Sequence, residues 1–287
     1  MRAVFRHELS SYFTGVTGYA FSACLLLFTG IYTMVYNLQS ASVHYEYVLG
    51  SMSFVFLIIV PILTMRVLAE EKKQKTDQLL YSLPITTTQV ILGKYLALLV
   101  LYLIPLAIIS LYPLVFAQFG DVYLLTSYGS ILAFFIMGAA LIALGTFISS
   151  LTDNQGLAAG IGIAVILLNY YSVSLSEYVS STAMGSAVAL IVLILALGLV
   201  IRYVTGNGNL AYWVSFVLVF AIVAVYLLDN TVLEGLLPQI MKTLSLFERF
   251  TGFVNGVFDM TAIVYYGSVI VFFLFLSVQS LEKRRYN

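Results

Sequence analysis

Eight long apolar runs, each close to the length of a membrane-crossing helix, dominate the sequence. A helix needs about 20 apolar residues to cross the hydrocarbon core of a bilayer. The runs lie near 15–36, 48–68, 95–116, 124–148, 157–173, 184–203, 210–228 and 261–281. Because 61% of the 287 residues are hydrophobic and 9% are charged, far below the roughly one quarter charged in soluble domains, we predict an all-α polytopic membrane protein with about eight spans.

The fifth run, 157–173, is the shortest of the eight and contains Asn169 followed by two tyrosines. Two alternatives therefore stay open. The fifth helix could be broken or partly re-entrant, and the total number of spans could be six.

The basic residues set the predicted orientation, because lysine and arginine accumulate on the cytoplasmic side of short loops. With eight spans and an internal N-terminus, Lys242 and Arg249 lie outside. The other eleven of the thirteen basic residues are cytoplasmic: Arg2, Arg6, Arg66, Lys72, Lys73, Lys75, Lys94, Arg202, Lys283, Arg284 and Arg285. Both termini are thus predicted to be cytoplasmic.

The leader at 1–14 precedes the first run, which we interpret as an uncleaved span because it is longer than the apolar region of a signal peptide. Phe5, Leu9, Tyr12 and Phe13 repeat at helical spacing, with polar residues between them. This pattern predicts an amphipathic helix lying in the membrane interface. A frayed tail with accidental periodicity is the alternative.

The stretch 66–94 gathers charges that the rest of the chain avoids. Glu71 and Lys75 are four residues apart, as are Lys73 and Asp77, a spacing that pairs side chains on a helix. Pro84 would end this helix, and Thr86 followed by Gln89 would form a capping box for the next one. We therefore predict a cytoplasmic helix that offers a docking surface, against the alternative of an ordinary solvated loop.

Several function classes lack their characteristic residues. No ionisable side chain lies near the middle of a run, where ion-driven transporters keep one, and no phosphate-binding loop motif is present. The two histidines, His7 and His44, fall on opposite faces of the predicted topology, and Cys24 is the single cysteine. We therefore predict no catalytic site, no metal site and no cofactor bound by this chain, and no nucleic-acid partner.

Two segments resemble a known family. The run "PILTMRVLAEEKKQKTDQLLYSLPITTTQVILGKYLA" is similar to the segment between the second and third spans of ABC-2 type transporter permeases. The terminal run "LFERFTGFVNGVFDMTAIVYYGSVIVFFLFLSVQSLEKRRYN" resembles that of the gliding-motility-associated branch of this family. The resemblance implies one ABC-2 type transmembrane domain over 1–287, with a six-helix core and an extra pair of spans within 184–228.

The resemblance also implies partners and a mechanism. Such a permease pairs with a second permease subunit, and a separate ABC ATPase carrying ATP and Mg binds its cytoplasmic side in the inner cell membrane. Export is the commoner direction in the family. The implied ATPase-coupling residues are Glu70, Glu71, Lys75, Thr76, Asp77, Leu79, Leu80, Ser82 and Pro84, and a second contact would be Asp153, Asn154 and Gln155.

The segment 229–260, predicted to lie outside, keeps apolar residues at helical spacing and ends at Asp259, a candidate N-cap for the last span. It predicts short amphipathic helices in the outer leaflet. Two other functions stay open for the whole chain: an ATP-independent channel or facilitator, and a membrane anchor for a cytoplasmic machine.

Overall fold

The computed structural model describes residues 1–76, 85–205, 208–228 and 230–286, and within these ranges every regular element is helical. The α-helices are α1 Arg2–Thr14, α2 Thr17–Thr33, α3 Glu46–Met52, α4 Phe56–Thr64, α5 Ala69–Gln74, α6 Thr87–Ile109, α7 Tyr112–Phe116, α8 Leu124–Leu151, α9 Gln155–Tyr178, α10 Ala183–Thr205, α11 Gly208–Leu228, α12 Leu236–Leu244, α13 Leu246–Val254 and α14 Met260–Tyr286. A π-helix, Met34–Gln39, extends α2, and short 3₁₀ turns occupy Ser53–Val55 and Asn230–Leu233.

Seven helices among the described residues are long and apolar enough to cross a membrane. They are Thr17–Gln39, Glu46–Gln74, Thr87–Phe116, Leu124–Leu151, Gln155–Tyr178, Ala211–Leu228 and Met260–Arg284. A shorter apolar helix, Ala183–Leu199, corresponds to the predicted sixth span. The all-helical polytopic fold is confirmed, and the count of eight spans stays a prediction.

The fifth helix is continuous from Gln155 to Tyr178, so the alternative of a broken helix is wrong. Asn169 does not interrupt it, because its side chain has partners in the 244–246 turn. Its amide nitrogen donates to the Leu244 carbonyl at 3.2 Å, and its amide oxygen accepts from the Leu246 N–H at 2.9 Å. A satisfied amide removes the polar cost that had suggested a break.

The chain divides into two compact units. The first comprises Met1–Leu167 and Arg249–Leu281, and the second comprises Leu168–Glu248 and Glu282–Asn287. In the second unit, Ala183, Ala187 and Leu233 form a small core with apolar side chains of α11 around it. The prediction of a single domain over 1–287 stays a prediction.

Helix α8 runs through the core of the first unit. The buried rings of Phe56 and Phe134 lie 4.6 Å apart, and the Tyr102 hydroxyl donates to the Phe134 carbonyl at 2.9 Å. Gly145 lets α8 approach α4 closely, since a Cβ at this position would lie 2.3 Å from Thr64 Oγ1. Small residues at helix contacts are the usual means of close approach in membranes.

Two predicted helix caps are confirmed. Thr86 Oγ1 accepts from the Gln89 N–H at 3.2 Å and caps α6. An Asp259 carboxylate oxygen accepts from the Thr261 N–H at 2.8 Å at the start of α14. Hydrogen bonds from Thr261 hold the pKa of the Asp259 carboxyl below its usual value.

The predicted short helices within 229–260 are also present as α12 and α13, while their place in the outer leaflet stays a prediction.

Candidate functional site

The described part of the charged stretch, 66–76 and 85–94, contains the short helix α5. The first turn of α5 is held by the end of α8. The N–H groups of Leu68 and Ala69 each donate to Ser149 Oγ at 3.1 Å. The Ser149 hydroxyl in turn donates to the Met65 carbonyl at 3.3 Å. A hydroxyl has one donor and two acceptor positions, so Ser149 uses all three on the segment that enters α5.

Helix α5 ends earlier than the charge pattern predicts. Lys75 has a left-handed backbone with φ 58°, its N–H donates to the Lys72 carbonyl, and the Thr76 N–H donates to the Glu71 carbonyl. These two bonds form a Schellman motif, which terminates a helix. The prediction of one continuous helix carrying a Glu71–Lys75 pair at helical spacing is therefore wrong, because Lys75 lies outside the helix.

The Glu71 carboxylate instead faces Lys94, which lies in α6. The Lys94 ammonium is 2.7 Å from a Glu71 oxygen and 2.6 Å from a Glu8 oxygen in α1. The Lys94 side chain is 2% exposed, and those of Glu8 and Glu71 are 15% and 25% exposed. A buried ammonium requires such partners, so one lysine joins α1, α5 and α6. We call Lys94, Glu8 and Glu71 the Lys94 cluster.

A second lysine attaches α5 to the last turn of α8. Lys72 is buried and its ammonium donates to the Ser150 carbonyl. The same carbonyl accepts from the Ser280 hydroxyl of α14 at 3.0 Å. These contacts bring the ends of α5, α8 and α14 together at one end of the first unit, the end at which α1 also lies.

A cleft of about 690 Å³ opens beside the Lys94 cluster. Three carboxylates and two strongly basic side chains line it: Glu8, Glu70, Glu71, Arg66 and Lys94. Tyr12 lies in its wall, where burial raises the pKa of the hydroxyl and the neighbouring Glu8 carboxylate raises it further. The cleft therefore carries charges of both signs, with three carboxylates against two strongly basic groups, and His7 also lines it.

The described part of the predicted coupling set lies in and just after α5. Glu70 accepts from the Gln74 side chain at 3.2 Å, and Lys75 and Thr76 form the terminating turn. The remaining predicted residues of this set lie outside the described residues: Asp77, Leu79, Leu80, Ser82 and Pro84. Their contact with an ATPase stays a prediction.

The predicted second contact forms the short turn between α8 and α9. Asn154 Oδ1 accepts from the N–H groups of Gly156 and Leu157, at 2.9 Å and 3.3 Å, and so caps α9. Asp153 is exposed beside it and Gln155 begins the helix. The structure gives this turn a capping role, and an ATPase contact there stays a prediction.

Sequence reasoning did not identify Lys94, Glu8 or Ser149 as parts of this site. One signal was available for Lys94: it lies eight residues after the predicted N-cap Thr86, two turns inside a helix, rather than in a solvated loop. The two partners of Lys94 lie 86 and 23 residues away in the chain. Those of Ser149 lie 80 to 84 residues away. No local pattern indicates such distant pairs.

Comparison with known proteins identifies the family. The comparison with curated proteins found no match. The family model of the ABC-2 family transporter protein matches residues 9–230, well over half of the 287-residue chain, and the match includes α5 and the second and third spans. The chain therefore belongs to the ABC-2 family of transporter proteins.

Proposed function

We propose that this chain is the membrane-spanning permease subunit of an ATP-binding-cassette exporter, powered by a separate ATPase. Its family is a component of membrane transport rather than a catalytic domain. The observation that carries the proposal is the attachment of α5 to α6 through Lys94 and to α8 through Ser149. A short charged helix fixed to two spans is suited to receive a displacement and pass it on.

In the proposed mechanism, closure of two ATPase subunits around ATP displaces α5 and the segment that follows it. The Ser149 bonds and the Lys94 cluster resist separation of α5 from the spans, so these elements move together. Packed helices shift between discrete arrangements rather than deform continuously. The displacement therefore switches the spans between two packings, and access to cargo alternates across the membrane.

The remaining parts of the transporter belong to other subunits. ATP and Mg bind the partner ATPase, this chain binds no cofactor, and a second permease subunit completes the pathway. The basic-residue bias supports a cytoplasmic position for α5 and both termini in the inner cell membrane. The terminal segment 246–287, beyond the region matched by the family model, supports placement in the gliding-motility-associated branch.

The test is purification of the tagged chain in mild detergent from its native host, identification of the associated ATPase, and reconstitution of both in liposomes. A hydrolysis-dead ATPase then separates the functions. With the hydrolysis-dead ATPase, a permease stops moving cargo, whereas a channel continues to conduct it. An anchor moves no cargo with either the active or the dead ATPase. Absence of any ABC ATPase after crosslinking, or cargo movement that continues with the dead ATPase, would contradict the proposal.

A further inference from the structure

An apolar groove of about 630 Å³ lies between α2 and α4 of the first unit. One wall is formed by α2, where the side chains of Ala20 and Cys24 are too small to fill the groove. The other wall is formed by Ile58 and Ile62 of α4, which are 51% and 46% exposed. At 1.5 Å rise per residue these walls extend for about 10–12 Å along the helices. The groove is thus open to the outside of two membrane-crossing helices. In a bilayer, acyl chains surround such helices.

The groove has a polar end that it shares with the cleft beside the Lys94 cluster. Gly15, Thr17 and Arg66 line both cavities. The Arg66 guanidinium is exposed and donates to Thr17 Oγ1 at 3.4 Å, and among the described residues no carboxylate lies within salt-bridge distance of it. The apolar groove and the charged cleft therefore adjoin at Arg66, which has no anionic partner among the described residues.

The carboxylates of the cleft outnumber its strongly basic groups, which are Arg66 and Lys94. Lys94 is occupied by Glu8 and Glu71. The third carboxylate, Glu70, accepts from the Gln74 amide and, among the described residues, has no basic group within salt-bridge distance. A ligand that fits this space has an apolar chain, then an anionic group at Arg66, then a cationic group toward Glu70.

We infer that the groove and cleft together bind one glycerophospholipid with a phosphoethanolamine headgroup. An acyl chain lies in the groove against Ala20 and Ile62, the phosphate accepts from the Arg66 guanidinium, and the primary ammonium donates to Glu70. Arginine binds phosphate through paired donors, and an ammonium compensates the surplus carboxylate of the cleft. The site does not depend on the ATPase proposed above.

The headgroup distinguishes this site from the general lipid annulus. Phosphatidylglycerol offers the same phosphate without a cation, and the quaternary ammonium of phosphatidylcholine has no N–H to donate. Binding is measured by native mass spectrometry of the delipidated full-length chain in detergent, titrated with phosphatidylethanolamine, phosphatidylglycerol or phosphatidylcholine of the same acyl chains. A charge-assisted hydrogen bond corresponds to about a tenfold preference for phosphatidylethanolamine over each of the others.

The variants separate the two headgroup contacts, and neither position is in the core. Arg66→Gln lowers retention of all three lipids by about tenfold. Glu70→Gln removes the preference for phosphatidylethanolamine and leaves phosphatidylglycerol binding unchanged. Lys73→Gln is the matched control, because Lys73 is an exposed cation of α5 that lines neither cavity, and it changes nothing.

Three outcomes would overturn the inference. The first is equal retention of the three lipids by the wild type, and the second is unchanged binding in Arg66→Gln. The third concerns Ala20→Phe, which fills the groove and should release phosphatidylethanolamine while leaving the oligomeric state unchanged. If Ala20→Phe instead breaks a dimer and leaves lipid binding intact, the groove is an interface with a second copy of the chain.

Discussion

The Lys94 ammonium lies 2.6 Å from a carboxylate oxygen of Glu8, so the first helix of the chain is joined to a membrane-crossing helix 86 residues later. The same ammonium binds Glu71 at 2.7 Å. Helix α1 is therefore connected to α5 through a buried charge. A helix that sequence pattern alone would assign to the membrane interface is, in addition, part of the structure that holds the proposed coupling helix.

Lys94→Met should destabilise the protein, because it removes the cation that Glu8 and Glu71 share. Loss of one partner from a buried ion pair costs about 3–5 kcal/mol, and the partial exposure of both carboxylates lowers the expected value toward about 2–3 kcal/mol. The measurement is thermal unfolding in detergent. Lys73→Met is the control, since Lys73 is exposed in the same stretch, and it should change the unfolding temperature little.

If Lys94 stabilises the protein through its charge, neutralising its two carboxylate partners should offset the loss of the lysine. Adding Glu8→Gln and Glu71→Gln to Lys94→Met removes the uncompensated carboxylates, and stability should recover in part. If the triple variant is less stable than Lys94→Met alone, the lysine acts through the packing of its aliphatic chain and not through its charge.

Ser149→Ala should loosen α5 without unfolding the spans. It leaves the N–H groups of Leu68 and Ala69 without their side-chain acceptor, at a cost of about 1–2 kcal/mol, similar to the loss of a helix cap. Hydrogen exchange at residues 68–74 should accelerate. Ser150→Ala is the neighbouring control, because among the described residues the Ser150 hydroxyl bonds to the Phe147 carbonyl of its own helix and to nothing in α5. Equal exchange in the two variants would refute the capping role of Ser149.

Gly145→Ala should destabilise the first unit, because the added Cβ would lie 2.3 Å from Thr64 Oγ1. Overpacking of this kind costs about 1–3 kcal/mol. Gly160→Ala is matched to it in chemistry but has no neighbouring atom within 4 Å, so it should leave stability unchanged or raise it slightly through helix propensity. Comparison of the two unfolding temperatures in detergent measures the contact, and similar values would mean that α4 and α8 are not closely packed there.

Asp259 should give the start of α14 a pH dependence. Hydrogen bonds from Thr261 lower the pKa of its carboxyl in the folded protein. Its contribution is therefore complete above the ordinary aspartate pKa of about 3.9 and is lost as pH falls below that value through the lowered folded pKa. Hydrogen exchange at 260–263 should accelerate over this range in the wild type. In Asp259→Asn, which keeps a capping side chain without the charge, the same acceleration would count against this explanation.

Patterns of local origin were predicted well from the sequence. The apolar runs, the Thr86 and Asp259 caps and the short helices before the last span depend on residues close together in the chain, and the structure contains them. The alternative of a broken fifth helix, kept open beside a continuous span, was wrong because Asn169 finds its partners 75 to 77 residues away. A polar residue in an apolar run indicates a break only if nothing distant satisfies it.

A helix in the charged stretch was predicted and is present as α5, but the contacts that hold it were not predicted, and its role in coupling stays a prediction. Charges four residues apart indicate a helix, yet the same acidic residue can bind a distant cation, and Glu71 binds Lys94. The left-handed turn at Lys75 had no signal, because glycine or asparagine normally marks such a position. The part of the predicted set at 77–84 lies outside the described residues.

The proposed coupling role of α5 is tested most directly by site-specific crosslinking from α5 to the ATPase that purifies with the chain. The single cysteine, Cys24, is replaced by serine, and a cysteine carrying a photoreactive group is placed at Lys73 or Gln74, both exposed, with Lys242 as the control on the face predicted to be external. If α5 contacts the ATPase, positions 73 and 74 form an adduct with it and position 242 forms none. An ATPase that purifies with the chain yet forms no adduct from α5, or forms one equally from 242, would contradict this role.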